Sequence, residues 1–346
     1  MKTRPLGRTG LEVSEICLGT MTYGQQTDRD DAFAQMDLAV ESGVNFFDTA
    51  ELYSIPPRAE TYGATETIVG EWISARNNRD SIVLATKAVG RTAMPWFRNG
   101  REARLDRKNI FHAVEGSLKR LRTDRIDLYQ LHWPDRPMDL FDGLSNSYED
   151  HGGPDGVSFE ETAGALHDLV RQGKILHFGL SNETPWGLAQ FLRVADKGGP
   201  RPVSIQNAYH LLNRQFELGL AEFAFREQVG LLAYSPLAQG FLTGKYLDGA
   251  LPAGSRSGLF NRGQRYQKPG VDDAIRDYLA LAAEFGLHPV DLALAFVTSR
   301  PFVTANIIGA TNIDQLRLIL EAPRELSPEI LARIDALHQL RGNPAP

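Results

Sequence analysis

The sequence lacks several features that whole classes of proteins require. Its 346 residues include one cysteine, Cys17, so a disulfide within the chain is impossible and a cysteine-rich metal site is excluded. No stretch approaches the roughly 20 consecutive apolar residues that cross a bilayer. The start of the chain, Met1–Leu6, carries no apolar core of the kind found in signal peptides. We therefore expect a cytoplasmic protein without a membrane partner, in which Cys17 is a small buried hydrophobic residue.

The chain also lacks a concentration of positive charge. It has 37 lysine and arginine residues against 43 aspartate and glutamate residues, a net charge of −6, and both signs are interspersed. Proteins that bind nucleic acids usually carry a basic patch, so we expect no nucleic-acid partner. The eight histidines are scattered, and neither H-x-H nor H-E-x-x-H occurs. We therefore expect no metal site, which disfavours a metal-dependent hydrolase.

What the chain does contain is an alternation of short β-rich runs and amphipathic segments along its whole length. The predicted strands are Ile16–Gly19, Val44–Asp48, Ile82–Lys87, Ile126–Leu131, Ile175–Gly179, Val203–Gln206, Gly230–Tyr234 and Asn306–Gly309. This alternation predicts an α/β protein with a parallel sheet and right-handed crossovers. Eight such units favour a closed (β/α)8 TIM barrel over an open sheet, as does the lack of any G-x-G-x-x-G or P-loop motif. We expect residues 1–346 to form one domain.

The segments between the predicted strands contain helices, a hairpin and two long loops. The helical period is clearest in Asp30–Glu41, Arg107–Leu121, Phe159–Arg171, Asp272–Phe285 and Pro289–Val297, and Gly173 is a predicted C-cap. Arg4–Leu6 and Glu12–Ser14 flank a Gly-rich turn, which predicts a hairpin that plugs the barrel bottom. Pro134–Ser158 has few periodic apolar positions, and Ala238–Gly270 is rich in Gly, Pro, Arg and Lys, so we expect two long structureless loops at the C-terminal face.

Four polar residues share one kind of position. Asp48, Lys87 and His132 each come at the end of a strand-like run, and Tyr53 follows Asp48 by five residues. In parallel α/β proteins, this edge of the sheet is where ligands bind and catalysis takes place. Each residue alone has a more common explanation: a turn or cap for Asp48, packing for Tyr53, a solvated strand end for Lys87, and a structural role for His132. Their joint placement is the stronger signal.

The four residue types fit carbonyl reduction. A carbonyl carbon accepts hydride readily when a proton donor sits at its oxygen, and a phenol such as Tyr53 can donate that proton. A lysine ammonium stabilises phenolate and so makes the phenol a better acid. We predict that Lys87 has this role, that Asp48 is its charge partner, and that His132 orients the substrate. A Schiff-base aldolase using Lys87 as nucleophile is an alternative, but pairing with Asp48 would keep the amine protonated.

The motifs around these residues resemble the aldo-keto reductase family, and the resemblance covers nearly the whole chain. It is carried by Pro5–Ser14, Leu18–Gly24, Phe47–Tyr53, Ala85–Lys87 and Leu128–Trp133. Three further segments, Ser54–Arg58, Leu212–Glu217 and Pro344–Pro346, resemble the bacterial Tas-like branch of the family. More distantly, the chain resembles the potassium-channel beta subunits. The resemblance implies a (β/α)8 enzyme that uses a nicotinamide cofactor, with Asp48, Tyr53, Lys87 and His132 as its catalytic tetrad.

The resemblance also implies cofactor positions, residue by residue. They are Thr20, Met21, Asp48, Ser181, Asn182, Gln206, Tyr234, Ser235, Pro236, Leu237, Gly240, Lys245, Arg256, Gly309, Thr311 and Gln315. In the family, the serine–asparagine pair and the glutamine hold the nicotinamide carboxamide, and the aromatic residue matching Tyr234 stacks on the nicotinamide ring. The turn after it follows the pyrophosphate, and the last three positions meet the adenosine end.

The expected cofactor is NADPH (NADP+) in preference to NADH, because Lys245, Arg256 and Arg317 are placed to pair with a 2′-phosphate. The loop cations Lys245, Arg256, Arg262, Arg265 and Lys268 are candidates for clamping the phosphates. One departure concerns adenine: the family commonly has Glu-Asn where this chain has Leu318 and Ile319, so the adenine contact must differ or be weaker.

The expected substrate is a small-molecule carbonyl compound, an aldehyde or a ketone. Tyr23, Trp96 and Trp133 are the candidate walls of its pocket. The alternative that we keep open is an NADPH-binding sensor or regulatory module with little turnover, although the sequence shows no dedicated partner helix or basic tail that would favour it. A homo-oligomer is compatible with the sequence.

Overall fold

The computed structural model describes residues 1–141, 151, 156–261 and 263–345. Its strands are β1 Thr3–Pro5, β2 Glu12–Ser14, β3 Ile16–Gly19, β4 Phe46–Asp48, β5 Val83–Ala88, β6 Ile126–Leu131, β7 Ile175–Ser181, β8 Ser204–Ala208, β9 Gly230–Tyr234 and β10 Val303–Ile308. Its helices are α1 Arg29–Glu41, α2 Ala64–Arg76, α3 Arg107–Leu121, α4 Phe159–Arg171, α5 Pro185–Asp196, α6 Phe216–Arg226, α7 Arg256–Phe260, α8 Val271–Glu284, α9 Pro289–Thr298, α10 Ile313–Glu321 and α11 Pro328–Arg341.

Strands β3 to β10 form a closed parallel barrel. Each strand pairs with the next along the chain, and β10 closes the ring by pairing with both β9 and β3. The (β/α)8 prediction is therefore confirmed. Because all eight barrel strands run the same way, their carboxyl ends meet at one rim, and the loops that follow them share one face of the molecule.

The N-terminal hairpin closes the opposite end of the barrel. Strands β1 and β2 pair antiparallel, and Leu6 and Val13 are buried against inward-facing residues of the barrel strands, including Cys17 and Phe46. Arg4 fixes the hairpin from outside by donating to the carbonyl oxygen of Val303 at 2.5 Å. The predicted plug is thus confirmed, with the first strand one residue earlier than expected because Leu6 already turns into the barrel.

The helices pack around the barrel and begin at polar caps that the sequence supplies. Asp28 caps α1, Asp106 caps α3 and Ser158 caps α4, and each side chain accepts a hydrogen bond from a backbone N–H of the first turn. Helix α4 ends at Arg171 as predicted, but its C-cap is Gln172, and Gly173 follows the cap with a φ of +72°, a left-handed conformation that favours glycine. The chain therefore returns tightly from α4 into β7.

The two long loops differ from the expectation. Of Pro134–Ser158, residues 142–150 and 152–155 lie outside the described residues. The second loop, Ala238–Gly270, is not structureless: it contains α7 and 3-10 turns at Ala238–Thr243, Leu247–Gly249 and Gln264–Tyr266. The side chain of Phe241 orders this loop by packing against two other rings: its ring centroid lies 4.4 Å from that of Tyr246 and 5.1 Å from that of Tyr266. Aromatic contacts across the loop give it a core of its own.

Among the described residues, no single helix has both the length and the apolar composition needed to cross a membrane. Helices α8 and α9 meet both criteria only as a pair, and that pair is bent by 96°.

Candidate active site

The four polar residues predicted from the strand ends meet at the carboxyl rim of the barrel. Asp48 is the last residue of β4, Lys87 lies at the end of β5, and His132 follows β6 directly. Tyr53 belongs to the segment between β4 and α2, and its ring packs edge-on against that of His132 with centroids 5.6 Å apart. All four side chains are buried. The structure therefore brings together all four residues that the sequence singled out.

Lys87 is the centre of this group. Its Nζ donates to Asp48 Oδ2 at 2.5 Å, to the carbonyl oxygen of Thr49 at 2.8 Å and to Tyr53 Oη at 3.4 Å. Burial alone would lower the pKa of Lys87, but the charge of Asp48 and the bonds around the amine outweigh it, so the pKa is raised. A protonated amine is a poor nucleophile, which argues against the Schiff-base alternative.

The phenol of Tyr53 is subject to two opposing influences. Burial raises the pKa of Tyr53, while the neighbouring Lys87 ammonium lowers it, and the net direction is upward. Lys87 thus acts on Tyr53 in the predicted direction, but its effect is smaller than that of burial. Burial and the Lys87 charge also hold the pKa of His132 well below its usual range, so this imidazole is neutral.

Asp48 uses its second carboxylate oxygen for two amides. Gln130 and Gln206 each donate from Nε2 to Asp48 Oδ1 at 2.9 Å. Gln206 was predicted as a cofactor position, whereas Gln130 was not predicted at all. A signal for it existed, because Gln130 precedes His132 by two residues and alternate residues of a strand point to the same face.

A buried ion pair holds the segment that carries Tyr53. Glu51 accepts from Arg98 at 2.8 and 3.0 Å, from Tyr62 Oη at 3.0 Å and from the backbone N–H of Val89 at 2.9 Å. These bonds join the segment after β4 to the segment after β5. This pair could not be predicted from local patterns, because Glu51 and Arg98 are 47 positions apart.

The residues expected at a nicotinamide carboxamide form one connected group beside the tetrad. Asn182 donates from Nδ2 to the carbonyl oxygen of His132 at 2.8 Å, and its Oδ1 accepts from Tyr234 Oη at 2.7 Å. Ser181 Oγ donates to the carbonyl oxygen of Gln206 at 2.9 Å. Hydroxyl and amide groups beside an aromatic ring are the chemistry that a carboxamide-bearing ring needs, so these residues fit a nicotinamide.

The expected phosphate positions follow β9 directly. Ser235 has a φ of +58° and Gly240 one of +94°, so Pro236 and Leu237 lie in a tight turn. A side chain at Gly240 would approach Lys245 Cε to 2.8 Å, so glycine leaves room for the lysine.

The predicted phosphate-binding cations have different positions. Lys245 is exposed, and Arg256 begins α7. Arg262 lies outside the described residues, while Arg265 is buried.

The expected positions for the adenosine end cluster after β10. Gln315 Oε1 accepts from both the backbone N–H and the hydroxyl of Thr311 at 3.1 Å, and Gly309 is exposed beside them. Leu318 is exposed, whereas Ile319 is buried in the core. Of the two departures from the family pattern, only Leu318 therefore presents a side chain to solvent.

The remaining two predicted cofactor positions follow β3. Thr20 donates from Oγ1 to the carbonyl oxygen of Asp48 at 3.0 Å, and Met21 is half-buried.

The three candidate pocket walls have different positions. Trp133 belongs to the buried cluster that contains Tyr53, and Trp96 packs against that cluster. Tyr23 lies instead in the core between barrel and helices, where its hydroxyl donates to Gln35 Oε1 at 3.4 Å. This placement does not support Tyr23 as a pocket wall, because its ring faces α1.

A separate cavity of about 350 Å³ lies beside the site, on the outer side of β6 and β7 near α4 and α5. Leu131 and Leu180 line it, and both belong to the core layer outside the barrel. Trp133 and Ser181 also line it, but the described wall includes none of the tetrad. This cavity is therefore separate from the group formed by Asp48, Tyr53, Lys87 and His132. Among the described residues, no group of three or more histidine, cysteine, aspartate or glutamate side chains could hold a metal ion.

Comparisons with known proteins agree with this geometry. The family model described as "Aldo/keto reductase family" matches residues 15–339. The protein named tas of Escherichia coli is 47% identical, and the alignment covers 100% of both chains. An uncharacterized oxidoreductase of Bacillus subtilis, YrpG, is 35% identical over 99% of this chain and 97% of its own. A probable voltage-gated potassium channel subunit beta of Oryza sativa is 31% identical over 98% and 97% of the two chains. The chain belongs to the aldo/keto reductase family and is an oxidoreductase.

Proposed function

We propose that this oxidoreductase reduces an aldehyde or ketone to an alcohol with NADPH as its cofactor. The observation that carries the proposal is the position of Lys87, whose Nζ bonds both Asp48 Oδ2 and Tyr53 Oη inside a buried site. Bound NADPH would supply the hydride that the carbonyl carbon accepts. The remaining chemistry is a proton for the carbonyl oxygen, and the chain provides it.

Tyr53 is the proton donor in this proposal. Its raised pKa keeps the phenol protonated at neutral pH, which is the form that reduction requires. As the phenol gives up its proton, negative charge develops on Tyr53 Oη, 3.4 Å from the Lys87 ammonium. That ammonium stabilises the developing charge without a rearrangement, because Asp48 and Thr49 already hold it in place.

His132 orients the carbonyl group in this proposal. Its imidazole is neutral because burial lowers its pKa, so it carries one N–H. Its Nδ1 is buried and has no hydrogen-bond partner among the described residues. A neutral ring beside Tyr53 can donate to the carbonyl oxygen and hold it near the phenol without competing for the proton.

Asn182, Ser181 and Gln206 would hold the carboxamide of the nicotinamide, and Tyr234 would pack against its ring. Lys245 and Arg256 support NADPH over NADH, since both carry positive charge on the segment after β9, where a phosphate can be paired. The exposed position of Lys245 leaves its ammonium accessible to a ligand.

A nucleotide-binding sensor with little turnover is the second candidate. One observation favours it: the rice relative at 31% identity is described as a probable potassium channel subunit, not as an enzyme. The tetrad favours catalysis, since a binding module has no use for a buried proton donor paired with an ammonium group.

The test is loss of NADPH absorbance with a panel of aromatic and short aliphatic aldehydes. Tyr53→Phe should lower kcat by about 100- to 10,000-fold, the usual contribution of a general acid, and leave NADPH binding intact. Tyr129→Phe is the matched control, because Tyr129 carries a buried hydroxyl without a partner among the described residues and belongs to the core outside the barrel. Its kcat should not change.

Turnover that Tyr53→Phe removes and Tyr129→Phe preserves would support the reductase. Turnover that survives Tyr53→Phe would refute Tyr53 as the donor. NADPH binding without turnover on any carbonyl of the panel would favour the sensor.

A further inference from the structure

Gln130 occupies the centre of the site without a role in the proposed chemistry. It lies on β6 two residues before His132, points into the barrel and is 0% exposed. Both ends of its amide are used: Nε2 donates to Asp48 Oδ1 at 2.9 Å, and Oε1 accepts from Gln206 Nε2 at 3.0 Å. A fully buried amide with two such partners is held in one orientation.

The partners fix the direction of both amides. An ionised carboxylate only accepts hydrogen bonds, so Gln130 must turn its NH2 group to Asp48 and its oxygen to Gln206. Gln206 then directs its NH2 group to Gln130 Oε1 and to Asp48 Oδ1. The oxygen of Gln206 is therefore the atom that remains to accept a hydrogen bond from a ligand.

We propose that Gln130 is a positioning residue that sets both the charge state of the Asp48–Lys87–Tyr53 group and the orientation of Gln206 towards the cofactor carboxamide. The inference rests on the proposed reductase function. Through these two contacts, the single side chain of Gln130 would affect both the protonation of the acid-base group and the binding of the dinucleotide.

The first effect acts through Asp48. A hydrogen bond donated to a carboxylate favours its ionised form, so Gln130 supports the Asp48 charge that faces the Lys87 ammonium beside Tyr53. Without that bond the ion pair is weaker, and the acidic limb of the pH profile of kcat should move to higher pH.

The second effect acts through Gln206. Without the Gln130 oxygen, one hydrogen of the Gln206 amide loses its acceptor, and the bond to Asp48 alone holds the amide less firmly in its orientation. Affinity for the dinucleotide should therefore fall, and this fall is measurable by quenching of tryptophan fluorescence without any turnover.

The test compares Gln130→Leu with Gln35→Leu. Gln35 is a matched control, because it is an equally buried glutamine on α1 whose partners, Tyr23 and Asp31, lie outside the site. Gln130→Leu should lower kcat by about 10- to 100-fold, the range for a lost hydrogen bond to a charged group, and should shift the acidic limb upward. It should weaken NADP+ binding by about 10-fold, the upper end for a lost hydrogen bond between neutral groups. Gln35→Leu should change neither quantity.

A second variant separates the two effects and retains the size of the side chain. Gln130→Glu keeps an acceptor for Gln206 but places a second carboxyl group against Asp48. It should retain NADP+ affinity within about threefold, since one hydrogen bond is preserved, and still move the acidic limb upward.

Unchanged NADP+ affinity and an unchanged pH profile in Gln130→Leu would overturn the inference, as would equal changes in Gln35→Leu. If the wild-type chain turns over and these variants behave like it, only this inference fails. If the wild-type chain binds dinucleotide without turnover, the binding comparison still decides the role of Gln130 towards Gln206. If it binds no dinucleotide, the inference and the proposed function both fail.

Discussion

Removal of the Glu51 carboxylate should destabilise the fold and displace Tyr53. Glu51 is 0% exposed and accepts four hydrogen bonds, two of them from Arg98. Arg98 is also buried, so Glu51→Leu leaves a guanidinium without its counter-charge inside the protein. Breaking a buried pair on one side typically costs about 3 to 5 kcal/mol, because the remaining charge has lost both water and partner.

That cost corresponds to a measurable shift in melting temperature. An unfolding entropy of about 2.1 cal/mol/K per residue gives about 0.7 kcal/mol/K for the 346 residues of the chain. The melting temperature of Glu51→Leu should therefore fall by about 4 to 7 °C, measured by circular dichroism at one fixed protein concentration. Because the Glu51 segment carries Tyr53, kcat should fall as well.

A double variant distinguishes an unpaired charge from simple loss of packing. Glu51→Leu combined with Arg98→Met removes both charges, and replacing a buried pair by apolar side chains is often neutral. The double variant should recover most of the lost stability. As a control, Glu325→Gln breaks the exposed Lys2–Glu325 pair and should leave the melting temperature unchanged. A double variant as unstable as Glu51→Leu alone would refute the argument.

Two further predictions concern acid stability and cofactor choice. Burial and the nearby Arg265 lower the pKa of His210 to about 3, below the value of about 6.5 for an unfolded chain. The stability that depends on neutral His210 is therefore fully present above about pH 6.5 and is lost as the pH falls towards 3, and His210→Gln should flatten this part of the pH dependence of the melting temperature. Lys245→Ala and Arg256→Ala should each weaken NADPH binding by about 10-fold and leave NADH binding unchanged, in fluorescence titrations with both dinucleotides. Equal losses for NADPH and NADH would show that these residues do not recognise the 2′-phosphate.

Much of the barrel could be predicted from local patterns. Strands β3, β6 and β9 and helices α3 and α4 have the bounds expected from period and composition, because each buries one regular set of apolar residues. Helix α2 was not recognised, since it also buries Glu66, which accepts from Thr86 and Arg120 at 2.6 Å. A buried carboxylate breaks the apolar period, and its partners lie on other elements of the fold.

In the site, too, local patterns located some residues, whereas contacts between distant segments determined the positions of others. The strand-end rule located Asp48, Lys87 and His132, because a strand end fixes the rim where a side chain lies. The rule does not apply to Tyr23, which comes four residues after the end of β3, where the alternation of a strand no longer determines the direction of the side chain. The Ala238–Gly270 loop was misjudged for a related reason, since its order comes from contacts between aromatic residues far apart in the chain.

The charges in the tetrad explain why so polar a group is stable inside a barrel. Asp48 carries one negative charge and Lys87 one positive charge, while a raised pKa keeps Tyr53 neutral and a lowered pKa keeps His132 neutral. The buried group thus has no net charge, and every further ionisation within it would place an uncompensated charge in a low-dielectric site. Lys87 acts in opposite directions on the two neutral members: its ammonium lies 3.4 Å from Tyr53 Oη and stabilises negative charge there, whereas it opposes protonation of His132. Within the group, Lys87 therefore favours proton loss at Tyr53 over proton gain at His132, which is the direction that the proposed proton donor requires.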